Sequence, residues 1–62
     1  MKDVLMNIGN DIASLWGGSC YSFKVDAKNK KVKFYCIEHG DKFLTELTFE
    51  EIKNEYGIDV LE

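Results

Sequence analysis

Between Ser19 and Thr48 the chain alternates apolar and polar residues three times, over residues 20–25, 31–37 and 42–48. Two short clusters rich in Asn, Asp and Gly, residues 26–30 and 38–41, separate the runs. Side chains of a strand point alternately to its two faces, so period-2 alternation marks a strand with one buried face. Three such runs joined by turn formers predict a β-meander. A sheet of this kind has an apolar face to cover, and the flanking sequence supplies the cover.

Ahead of the meander, residues 3–16 carry a helical period. Val4, Leu15, Ile8, Met1, Ile12, Leu5 and Trp16 fall in one arc roughly 120° wide, with Asp3, Asn7, Asn10, Asp11 and Ser14 opposite. Gly17-Gly18 ends this helix by permitting a left-handed cap. Gly9 costs the helix about 1 kcal/mol against Ala, and its missing side chain leaves space for another backbone or ring. Behind the meander, Thr48-Phe49-Glu50-Glu51 is a capping box that opens a second helix over residues 48–56. Phe49, Ile52 and Tyr56 share one face of it, Gly57 is its C-cap, and Ile58 can fold back onto Ile52. Residues 58–61 alternate weakly, as an extended segment along the body would. The expected fold is α+β, a single αβββα domain over residues 1–62, with the three-stranded antiparallel meander carrying both helices mainly on one face.

Sixty-two residues, 45% hydrophobic with eight aromatics, describe a small globular domain and not a disordered tail. A domain near this size buries only ~60% of its unfolded-chain surface, so a partner is a natural source of further burial. No segment approaches the ~20 apolar residues that span a membrane. The N-terminal residues carry acids and a broken apolar run, unlike a signal peptide, and a cytoplasmic location is expected.

Chemistry-bearing residues are sparse. One His, His39, cannot build a His-based metal cluster. Alternation places Tyr21, Phe23 and Val25 on one face of the first strand and Cys20 on the other, whereas Cys36 joins Val32 and Phe34 on the core face. The two thiols are then expected apart and reduced. Cys36-x-x-His39 has ligand-like spacing but no converging partners. Cys20 beside His39 would bring a thiol to a base, with no third group to orient the imidazole. Gly17-Gly18 lacks the strand, Lys and Ser/Thr of a phosphate loop. No enzyme, metal or cofactor is expected.

Charge is segregated along the chain. All eight cations are Lys, and five of them (Lys24, Lys28, Lys30, Lys31 and Lys33) lie in the first hairpin with only Asp26. Glu46, Glu50, Glu51, Glu55, Asp59 and Glu62 face a lone Lys53 in the C-terminal part, within a net charge of −3. A basic hairpin and an acidic helix make an electrically polarised body. The order αβββα resembles that of the double-stranded RNA-binding domain, which would imply duplex RNA held by the lysine hairpin. That family's Gly-Pro-x-His loop and Lys-Lys-x-Ala-Lys helix start are absent here. Phe49-Glu50-Glu51 stands where the basic helix start belongs, and Arg is lacking for bidentate phosphate contacts.

Face matching leaves one set of apolar residues spare. Core faces agree across the hairpins only with even loops, Asn29-Lys30 or Lys28-Asn29 in the first and His39-Gly40 or Gly40-Asp41 in the second. One face then carries Tyr21, Phe23, Val25, Val32, Phe34, Cys36, Phe43 and Leu47. The other carries Cys20, Ser22, Lys24, Lys33, Tyr35, Ile37, Leu44 and Glu46. Tyr35, Ile37 and Leu44 cluster there with no further element to cover them, and such patches mark interfaces. The expected function is a small non-enzymatic protein-interaction module, of the adaptor, regulatory-subunit or inhibitor kind that phages and mobile elements often encode. Tyr35, Ile37 and Leu44 would bind, with Lys30, Lys31 and Lys33 beside them. The partner is another protein or a second copy as a homodimer, with nucleic acid the alternative.

Overall fold

The computed structural model describes residues 2–60. Met1, assigned above to the apolar arc, and Leu61 and Glu62 of the tail lie outside them. The described residues form α1 (Lys2–Ser14), β1 (Gly18–Asp26), β2 (Lys31–Glu38), β3 (Asp41–Thr48) and α2 (Phe49–Tyr56). The strands make one antiparallel sheet in the order β1-β2-β3, giving the αβββα meander. One core holds Leu5, Ile8 and Ala13 from α1, Val32, Phe34 and Cys36 from β2, Cys20 from β1, Ile52 from α2 and Val60 from the tail. Both helices therefore cover the same face.

The second hairpin is the tighter one. Glu38 pairs with Asp41, so His39-Gly40 is a two-residue turn. Both residues have positive φ, 51° and 83°, the mirror-image turn whose twist suits the flanking strands. In the first hairpin Asp26 pairs with Lys31, and the loop is residues 27–30, four residues where two were expected. The Asp26 carboxylate holds it, accepting from the Asn29 N–H at 3.2 Å and from Asn29 Nδ2 at 2.9 Å. These bonds to the charged form keep the Asp26 carboxyl below its ordinary range, with help from Lys33 and Lys31. Either loop length is even, so the core faces still match.

One residue breaks the expected parity in β1. Cys20 pairs with Cys36 but Ser22 pairs with Tyr35, so Tyr21 is an extra residue, a β-bulge. Everything on its N-terminal side changes face. Cys20 thus stands on the core face directly opposite Cys36, both buried free thiols, and the expectation of cysteines on opposite faces is overturned. Tyr21, expected in the core, is 48% exposed. The Cys20 N–H, turned away from β2, is taken by Asn10 Oδ1 of α1 at 2.8 Å, and Cys20 Sγ donates to the Ser22 carbonyl at 3.1 Å.

Helix α1 seats a different stripe from the expected one. Leu5, Ile8, Gly9 and Ala13 are buried and Met6 and Ile12 pack beside them, while Leu15 is 78% exposed. The buried stripe is turned by roughly 60° toward Gly9 and Ala13 on the helical wheel. Close approach is the reason: a Cβ at Gly9 would stand 2.6 Å from Cys20 Sγ and 2.7 Å from Phe34 Cδ1. The helix crosses the sheet where it has no side chain. It ends at Ser14, two residues short of expectation, and Gly17 turns the chain with φ 74°. Trp16 lies past the helix, its ring edge-on to Phe43 at a centroid separation of 5.7 Å.

Helix α2 follows its sequence signals. Thr48 caps it, its hydroxyl accepting from the Glu51 N–H and the Glu51 carboxylate accepting from the Thr48 N–H, both at 3.1 Å. The Phe49 N–H donates to the Lys30 carbonyl at 2.9 Å, which latches the helix start to the first hairpin. Gly57 closes the helix with φ 69°. The tail joins no strand among the described residues; Ile58 packs on the core and Val60 is buried in it.

Candidate binding face

Register and the positions of the helices define the open face. Reading across the sheet, its rows are Asp26, Lys31 and Thr48; then Lys24, Lys33 and Glu46; then Ser22, Tyr35 and Leu44; then Ser19, Ile37 and Lys42. These residues alternate with Val32, Phe34 and Cys36, which the helices bury, so they point the other way. Tyr35, Ile37 and Leu44 are neighbours on β2 and β3. Leu44 is 52% exposed, whereas Tyr35 and Ile37 are half-buried by their own neighbours.

Two further residues belong to this patch. The bulge turns Tyr21 outward, and Lys42 Nζ lies 6.0 Å from the centre of its ring. Ile37 sits on the strand between them. Tyr21 was hidden from sequence reasoning by the parity change, although Cys20-Tyr21, two apolar residues in succession at the head of a strand, is a break in alternation. Lys42 was legible as the partner of Ile37 but fell outside the lysine hairpin.

The lysines divide. Lys33 stands on the open face directly opposite Lys24, a like-charge pair that costs stability, with Glu46 on its other side. Lys31 is on the same face and pairs with Glu46 at 3.3 Å. Partly exposed, that pair contributes ~0–1 kcal/mol. Lys30 is not on the face. It occupies the loop with φ 54°, and its carbonyl serves α2. Lys24, Val25, Asp26, Ala27, Lys28 and Lys33 line a concavity of about 390 Å³ at the hairpin.

The residues weighed for chemistry do not converge. Cys36 is buried on the core face, while the His39 side chain is 79% exposed at the turn, 3.9 Å from Glu38 Oε1. Cys20 faces Cys36 inside and not His39. Burial, and then the neighbouring Cys20, push the Cys36 thiol up to about 11 from 9.0, the reverse of an activated nucleophile. Among the described residues no group of three or more His, Cys, Asp or Glu is placed to hold a metal. A groove of about 320 Å³ between α1 and the tail is lined by Val4, Asn7, Ile8, Asp11, Tyr56 and Ile58. There the Tyr56 hydroxyl donates to Asp11 Oδ2 at 3.5 Å, and burial with the charges of Asp11 and Glu55 raises its pKa. No helix of the described residues is long and apolar enough to cross a membrane. Comparison of the chain with protein-family models, with curated proteins and with solved structures returns no match.

Proposed function

We propose that this chain is a non-enzymatic protein-interaction module of the cytoplasm, an adaptor, regulatory subunit or stoichiometric inhibitor that binds through the open face of its sheet. The observation that carries it is the half-exposed Leu44 beside Tyr35 and Ile37, on the face opposite both helices. A contiguous apolar patch with a charged rim is the usual form of an interaction site. Tyr35 and Leu44 are the anchors. Lys31 and Lys33 on the face, with Lys30 in the adjoining loop, give the rim a sign and steer an oppositely charged partner.

The lysine hairpin also admits nucleic acid as the ligand. Lys31 is already engaged with Glu46, and Glu50 and Glu51 head α2, so weak and strongly salt-dependent contact is all that reading supports. Sub-micromolar binding to duplex RNA in a gel shift at physiological salt would establish it instead.

The test is photo-crosslinking in the native cell with a benzophenone amino acid at position 35. One protein species, whether another chain or this one, should be captured, and adding Leu44→Asp should abolish capture while the melting temperature holds. Capture that Leu44→Asp leaves intact would place binding elsewhere.

A further inference from the structure

The open face adjoins an edge strand whose pattern is complementary to itself. We infer that the partner is a second copy of the chain, paired antiparallel along β3 with Leu44 on the two-fold axis; the inference rests on the proposed interaction role and uses the β3 margin of the open face, where Leu44 lies. In a two-residue hairpin the residues flanking the turn form the hydrogen-bonded pair, here Glu38 and Asp41. Alternation then turns the peptide groups of Asp41, Phe43, Thr45 and Leu47 toward β2, and those of Lys42, Leu44, Glu46 and Thr48 outward. Thr48 fits this parity, since its N–H goes to Glu51 and not to the ladder. Among the described residues β3 has β2 as its one neighbour in the sheet, and no turn, loop or cap backbone hydrogen bond uses Lys42, Leu44 or Glu46.

The side chains at those positions read Lys42, Leu44, Glu46 along the open face. Turned about Leu44, the sequence opposes Leu44 to Leu44, Lys42 to Glu46 of the second copy and Glu46 to Lys42. All three are positions where the outward peptide groups meet, so each pair exchanges two backbone hydrogen bonds. On the core side Phe43 would oppose Thr45. The axis is perpendicular to the sheet, so both copies keep their helices on the same side. The two Tyr35–Ile37–Leu44 clusters then merge into one strip on the other. A shift of register by two residues would set Glu46 or Lys42 opposite Leu44 and leave a charge without its counterpart. Strand addition of this kind is a common mode of association, and isologous two-fold pairing is its closed form.

The opposite edge of the sheet is obstructed. The bulge at Tyr21 distorts β1, and Asn10 of α1 already occupies the Cys20 N–H. Strand β3 is eight residues long, with no register shift against β2 and no proline.

Sedimentation equilibrium on the purified chain tests the inference, with circular dichroism and thermal melts to confirm that every variant folds. The wild type should have twice the 7.1 kDa mass of one chain. Lys42→Glu alone or Glu46→Lys alone places like charges opposite at two symmetric sites, and each should raise the dimer dissociation constant by about tenfold or more. The double variant Lys42→Glu with Glu46→Lys restores opposite charges in the same register and should recover the dimer. A wild type that stays monomeric at high micromolar concentration overturns self-pairing, as does a dimer indifferent to the single swaps or not recovered by the double one. A monomer that still crosslinks from position 35 to a different protein separates that failure from failure of the open face itself.

Discussion

Gly9→Ala isolates the contact on which the fold turns. In a helix interior the change is ordinarily favourable, because Ala is about 0.8–1 kcal/mol better than Gly. Here the added methyl would stand 2.6 Å from Cys20 Sγ and 2.7 Å from Phe34 Cδ1. Both neighbours are buried in the core, so neither has free space to retreat into. Overpacking of a closed site costs roughly 1–3 kcal/mol, and two simultaneous close contacts place this one toward the upper end. The net loss is then about 1–2 kcal/mol after the propensity gain is subtracted. With a urea m-value of ~1 kcal/mol/M for so small a domain, the midpoint should fall by about 1–2 M. Asn7→Ala, at an exposed position of the same helix, is the matched control and should raise the midpoint slightly. If Gly9→Ala stabilises the protein as much as Asn7→Ala does, α1 does not cross the sheet at Gly9 and the packing described above is wrong.

Three other outcomes are expected. His39→Asn should stabilise the fold by about 0.5 kcal/mol in urea titration, because Asn bears the left-handed conformation at φ 51° more readily in a two-residue turn. The Cys36 thiol is held neutral in the folded state up to about 11, against 9.0 ordinarily, so the unfolded chain releases its proton first. Stability should therefore be intact below pH ~9 and decline as pH rises toward ~11, and Cys36→Ala should remove that part of the decline when midpoints are plotted against pH. Lys30→Glu with Lys31→Glu should slow association with the partner in low-salt stopped-flow mixing, an effect that fades as salt is added, while the melting temperature barely moves. Unchanged kinetics would show the hairpin charge to be solvation alone.

The parts of the fold that were legible from sequence are those written in local chemistry. Thr48 with Glu51 and Gly57 each satisfy a backbone requirement within a few residues and occur where expected, and His39-Gly40 is one of the two turns that the alternation allowed. The open face followed from the alternation of β2 and β3, whose pairing is regular from Lys31–Thr48 to Glu38–Asp41. Two features depended on tertiary contact instead. A single extra residue at Tyr21 moves Cys20 across the sheet, and the run Cys-Tyr-Ser-Phe accommodates either phase because Cys and Tyr are both apolar enough for the core. The seating of α1 was hidden because a hydrophobic wheel weights Val4, Leu15 and Trp16 heavily and Gly9 and Ala13 hardly at all. Yet it is the small residues that let the helix approach the sheet. Lys30 joined the candidate site through its charge and left it through its backbone, whose left-handed turn carries the side chain into the loop.

The irregularity at Tyr21 sets a limit on growth. A sheet with two regular margins can add neighbours at both, and repeated addition gives a ribbon without end, the route by which small β proteins form fibrils. Here one margin is kinked by an extra residue and partly occupied by the Asn10 side chain, which leaves β3 as the margin free to accept a strand. Once β3 is taken, the resulting particle presents only blocked margins to the solvent. Pairing through β3 would thus let a domain with so thin a core use a sticky edge without propagating it, and only removal of both Tyr21 and the Asn10 side chain would open the second margin to further strands.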